Sequence, residues 1–168
     1  MIIGENRAQV IENIKAAVKK GKMHAKVELG DPILTKDERI KLVNDYWKQQ
    51  KKLSHKFKNI IAQTIINLDT LVLMAHTQIK DKQRAKGPQH GAIVTTNHFK
   101  QTDSLPIKKL ANRCHKKLYV VIEDSNLKLP GFFGFLMNNI NAIPIVQSYQ
   151  YLGREFPKHL QKVFGVKT

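Results

Sequence analysis

The chain has 168 residues, with 29 Lys and Arg against 13 Asp and Glu and a formal net charge of +16. That length suits one domain, or one domain with a helical extension, and an apolar content of 42% excludes an acidic or low-complexity disordered chain. Nine Gly and six Pro exclude collagen-like and Pro-rich chains, and the single cysteine, Cys114, excludes an intramolecular disulfide framework and a Cys-based zinc finger.

Residues 1–80 carry 15 basic and 8 acidic side chains and residues 81–168 carry 14 and 5, so the excess charge is not a basic tail on a neutral body. Such a surplus points to an anionic partner: nucleic acid, an anionic membrane surface or a phosphorylated small molecule. The first residues show no basic segment followed by an apolar one, and no run of 18 apolar residues occurs. Neither a signal peptide nor a transmembrane helix is therefore expected.

Val10, Ile11, Ile14, Ala17 and Val18 recur at helical spacing, which predicts a short helix over 6–20 ending at Gly21. Gly30-Asp31-Pro32 signals a turn. Thr35 to Glu38 reads as a capping box, in which the Thr35 hydroxyl and the Glu38 carboxylate each satisfy the other's backbone amide. From there to Lys86 there is no Gly and no Pro. Apolar residues recur every three or four positions, from Leu42/Val43 and Tyr46/Trp47 through Leu53, Phe57, Ile60/Ile61, Ile65 and Leu68 to Leu71/Val72. One long helix, or two with a subtle break, is predicted to end near residue 79. Its first half is Lys-rich and its second half nearly uncharged.

Residues 81–90 form a polar linker with Gly87-Pro88. Beyond it the period changes. Short strands are predicted at 91–97, 118–122 and 142–146, with Pro144 confining the last to an edge or a strand end. Helices are predicted at 104–113 and 150–164, and a helix or re-entrant turn at 131–139. The alternation predicts βαβ units and a largely parallel sheet. The chain thus divides into an N-terminal helical region (1–80), a linker (81–90) and an α/β domain (91–168).

Asn97-His98-Phe99-Lys100-Gln101-Thr102-Asp103 follows the first predicted strand directly. A His and an Asp five residues apart across a strand-to-helix turn can meet side chain to side chain. The carboxylate then fixes the imidazole tautomer and leaves the other ring nitrogen free to take a proton from a substrate hydroxyl. On spacing alone a second reading stays open, in which Asp103 caps the helix beginning at Ser104 and His98 is a turn residue.

His98-x4-Asp103 after an apolar strand resembles the signature of the glycerolipid acyltransferases, the PlsC-type glycerol-3-phosphate and lysophosphatidic-acid acyltransferases. A second block agrees: Leu129-Pro130-Gly131-Phe132-Phe133-Gly134-Phe135-Leu136, followed by Asn141-Ala142-Ile143-Pro144-Ile145. The resemblance covers residues 91–147. It implies an acyltransferase core, here an incomplete βαβαβ unit preceded by helices. It implies His98 as general base and Asp103 as its orienting carboxylate, with substrate contacts from Asn97, Phe99, Gly131, Phe132, Phe133 and Gly134. The two glycines would permit close packing around the acceptor or the acyl chain. No metal and no resident cofactor are implied, only acyl-CoA or acyl-acyl carrier protein as co-substrate, with a lysophospholipid or glycerol 3-phosphate as acceptor.

The sequence departs from the family pattern in three places. Asn141 stands where the family usually has Gly, and Val146-Gln147-Ser148 stand where a basic residue often follows the Ile-Pro strand. Phe156-Pro157-Lys158 lacks the acid of the family's third block. The chain also ends at Thr168, before the later strands of such a fold, which leads to the expectation of a truncated form lacking the acceptor-phosphate half of the site.

Two structural alternatives remain at this stage. Residues 60–75 either lie on a membrane, with the lysines of 41–58 meeting anionic headgroups, or pack internally on the sheet. Phe99, Phe132, Phe133 and Phe135 either line an acyl-chain site or fill the core. His55 and His76 are expected on a helix face or at the surface. The functional expectation is an acyltransferase of phospholipid synthesis, cytoplasmic and peripheral to the membrane. The competing readings are a basic nucleic-acid-binding protein, which lacks aromatics interleaved with its lysines, and a catalytically inactive interaction protein.

Overall fold

The computed structural model describes residues 7–23, 25, 32, 34–80, 92–97 and 101–165. Among these, six α-helices and two strands follow in the order α1 (Arg7–Lys19), α2 (Lys36–Gln49), α3 (Leu53–Leu73), α4 (Ser104–Arg113), β1 (Val120–Glu123), α5 (Gly131–Asn139), β2 (Ala142–Ile145) and α6 (Phe156–Phe164). The fold is mixed α/β. The linker at 81–90 lies outside the described residues.

Local chemistry accounts for the helix boundaries. The Thr35 hydroxyl accepts from the Glu38 amide at 3.4 Å, and the Glu38 carboxylate accepts from the Thr35 amide at 2.7 Å, so α2 opens on the capping box read from the sequence. These hydrogen bonds hold the Glu38 carboxyl below its usual range. The segment read as one helix or two is two, broken at residues 50–52, where Lys52 adopts an extended conformation (ψ 144°). Lys109 of α4 reaches back to close the far end of α3, donating to the Met74 carbonyl and, at 2.8 Å, to that of Thr77. An ammonium on the last carbonyls of a helix complements its dipole.

β1 and β2 pair in parallel, in register from Val120↔Ala142 to Glu123↔Ile145. The turn Asp124–Lys128 and helix α5 connect them, which makes one βαβ unit. In a two-stranded sheet both strands are edges, so Pro144 removes no ladder bond that the fold requires. The predicted strand at 91–97 is not formed: its described part, 92–97, makes no ladder, with Ile93 and Val94 exposed. β-propensity expresses itself only against a neighbouring strand, and among the described residues this run has none. The final helix covers its predicted span, 150–164, with a π-helical turn over Tyr151–Glu155 ahead of the α-helical part from Phe156. Pro157, which donates no amide, falls in the first turn of that part.

The core lies between α2 and the βαβ unit. Tyr46, Ile122, Leu127 and Ala142 form one buried cluster and Val43, Val146 and Tyr151 another, with Trp47 packed against both. Two tyrosines anchor the outer edge of β2: Tyr46 donates to the Ala142 carbonyl at 2.8 Å and Tyr151 to that of Pro144 at 3.1 Å. Burial pushes both phenols up, that of Tyr151 to about 12. Arg39 of α2 meets the fully buried Asp124 at 2.6 Å, just past the carboxyl end of β1.

Candidate functional site

Asp103 closes a short 3-10 turn, Gln101–Asp103, and occupies the N-cap position of α4 without a capping hydrogen bond from its side chain. The capping alternative therefore does not describe what its carboxylate does. Asn97 is exposed. His98 and Phe99 lie outside the described residues.

Asp103 leads directly into a helix docked on α3 by a ladder of polar contacts. Lys108 donates to Gln63 at 3.1 Å and Asn112 to Asn67 at 3.0 Å, beside the Lys109 cap. The other end of α3 is pinned to the end of α5. Asn59 donates to the Asn139 carbonyl at 2.6 Å, and His55 Nε2 lies 3.1 Å from that of Asn138. His55 is on the buried face of α3, the helix-face alternative of the two expected of it.

The Gly-Phe-Phe-Gly block forms the first turn of α5. Gly131 has φ +61°, a conformation that L side chains rarely adopt, and a Cβ on the buried Gly134 would sit 1.8 Å from the Leu129 carbonyl oxygen. The close approach at Gly134 is thus to the chain's own backbone. Phe132 and Phe133 meet edge to face at 6.1 Å between centroids and remain substantially exposed. They do not fill the core.

Next to Asp103, Ser104 lines a cleft of about 110 Å³ between α3, α4, α5 and β1. Its walls include Ile66, Leu105, Leu118, Val120, Met137 and Ile140, and its polar members are Gln63, Ser104, Lys108 and Asn141. Burial lowers the pKa of the Lys108 ammonium. Lys108 and Gln63 were not singled out in the sequence, since nothing in KKLANR distinguishes a lysine beside a cleft from one capping a neighbouring helix. A second, more open pocket of about 490 Å³ lies past the carboxyl end of β2, lined by Lys36, Arg39 and residues 146–150.

A further surface feature is on α3. Its inward face is mixed, with His55, Ala62 and Thr70 buried and Ile66 lining the cleft. Its outward face is apolar: Leu53, Phe57, Ile60, Ile61, Leu68, Leu71 and Val72 are exposed, Phe57 by 68% and Val72 by 74%. At 100° per residue these seven fall within about a third of the helix circumference, with Lys56 and Lys58 on either side. Among the described residues, no helix is long and apolar enough to cross a membrane.

No protein-family model matches the chain, and no curated protein or solved structure is significantly similar to it.

Proposed function

We propose that the chain is an acyltransferase working at an anionic membrane surface, peripheral to it on the cytoplasmic face. It would move a fatty acyl group from acyl-CoA or acyl-acyl carrier protein to a hydroxyl of lysophosphatidic acid or glycerol 3-phosphate. His98 takes the hydroxyl proton and Asp103 holds the imidazole in the tautomer that can accept it. The oxygen attacks the thioester carbonyl, the carbon–sulfur bond breaks, and the thiol leaves with the proton. Phe132 and Phe133 offer exposed apolar contacts, and Gly131 and Gly134 shape the turn that carries them.

The observation that carries this reading is the exposed apolar stripe of α3. A water-soluble helix turns its apolar stripe inward. Here the stripe faces out, is flanked by lysines, and belongs to the helix that packs on α4, at whose start Asp103 stands. That arrangement suits an acceptor presented in a lipid surface. It does not suit nucleic acid, which calls for a polar, basic face with stacking aromatics.

The test is thiol release from acyl-CoA, with lysophosphatidic acid presented in anionic vesicles. Turnover by this chain is expected to be weak, and His98→Ala should reduce it by about 10²–10⁴-fold, to the uncatalysed rate, with vesicle binding unchanged. Turnover that His98→Ala retains in full would overturn the reading.

A further inference from the structure

The cleft beside Ser104 is hydrocarbon-walled, yet it includes one cation without a counter-charge. Lys108 donates to the neutral amide oxygen of Gln63, and among the described residues no carboxylate pairs with it. The neighbouring cation, Lys109, is occupied with the carbonyls at the end of α3. A partly buried ammonium against apolar walls is stabilised most by an anionic oxygen, through a charge-assisted hydrogen bond. The burial that lowers its pKa works in the same direction, because a bound anion would offset it.

We propose that this cleft binds a single-chain aliphatic carboxylate, with the head on Lys108 Nζ and the first methylenes against Leu105, Val120 and Met137. Size sets the chain. At about 110 Å³ the cleft covers only the first few methylenes of one chain and is too small for a diacyl lipid. Charge sets the head. One ammonium matches a carboxylate, whereas a phosphate dianion calls for several donors. The assignment concerns a free acid, goes beyond the acyl-transfer reading, and is tested by binding alone.

The probe is octanoate, titrated into the full chain and read at the ¹³C-labelled methyl of Met137, with octanol and octyl phosphate in parallel. A saturable shift is expected with octanoate, at least tenfold tighter than with either analogue. Lys108→Met should weaken octanoate at least tenfold and leave octanol unchanged. Should that variant lose octanol as well, Lys108→Arg must keep octanoate binding. The proposal is overturned if octanoate gives no shift at Met137, if octanol or octyl phosphate binds as tightly, if Lys108→Met keeps octanoate affinity, or if Lys108→Arg loses it.

Discussion

At Gly134 there is no space for a methyl group, because the atom it would strike is a backbone oxygen. A Cβ 1.8 Å from the Leu129 carbonyl must displace the Leu129-Pro130 turn or the start of α5. Gly134→Ala is therefore expected to lower stability by at least the ~1–3 kcal/mol typical of overpacking. Gly131→Ala meets nothing within 4 Å and should cost only the ~1–2 kcal/mol of a left-handed non-glycine residue. Urea midpoints of the two variants test the order, and Gly131→Ala as the more damaging would contradict it. Arg39 and Asp124 set a second expectation. Their side chains are 16% and 0% exposed, burial pushes the Asp124 carboxyl up, and Arg39 draws it back down. Removing Arg39 alone strands a buried carboxylate, so Arg39→Met should cost about 3–5 kcal/mol, and adding Asp124→Leu should recover much of that. A loss near zero in the single variant would show that the pair does not hold α2 to the sheet. The capping box at Thr35 was legible in the sequence because all its partners lie within four residues. The Arg39–Asp124 pair was not, because 85 residues separate its members.

At the scale of elements, local signals located helices and missed context. The spacing over 42–72 was correctly helical, and a break was one of its two readings, yet periodicity could not say which side of each helix faces the protein. In α2 the stripe of Leu42, Val43 and Tyr46 is turned to the core, whereas in α3 its continuation through Phe57, Ile61 and Leu68 is turned away. The three-residue break accounts for the reversal. The run at 92–97 failed as a strand for the complementary reason: its propensity was legible, and its lack of a partner was not. The docking of α6 yields a pH dependence. His159 stacks on Trp47 with 4.3 Å between centroids and an 8° interplanar angle. Burial lowers its pKa, with Lys162 and Lys158 in the same direction and Glu155 opposing. The unfolded chain then takes up this proton more readily than the folded one. The contribution is complete above the unfolded value of about 6.5 and is lost as pH falls from there through the folded value. Urea unfolding followed by Trp47 fluorescence should show stability falling over that interval, and His159→Gln should flatten the fall. Equal slopes in parent and variant would remove His159 as its source.

For the molecule as a whole, the proposed membrane association rests on the apolar outer face of α3. Exposed Leu53, Phe57, Ile60, Ile61, Leu68, Leu71 and Val72 add nothing to the core, and each is worth roughly 1.5–3 kcal/mol if an apolar phase covers it fully. On the proposed reading, Lys56 and Lys58 beside this stripe would meet anionic headgroups, at about 1 kcal/mol per lysine near such a surface, and a net charge of +16 would favour the approach. The chain is therefore expected to float with vesicles rich in phosphatidylglycerol at low salt and to bind neutral phosphatidylcholine weakly. Changing Lys56 and Lys58 to Gln should remove about 2 kcal/mol, or roughly 30-fold in partitioning. Ile60→Asp with Leu68→Asp should abolish flotation and leave the urea midpoint nearly unchanged, because both side chains already face outward. Two outcomes count against a membrane-facing α3. One is an aspartate pair that still floats, which would leave the charge alone responsible. The other is an aspartate pair that unfolds the protein, which would mean that this face packs against the chain itself.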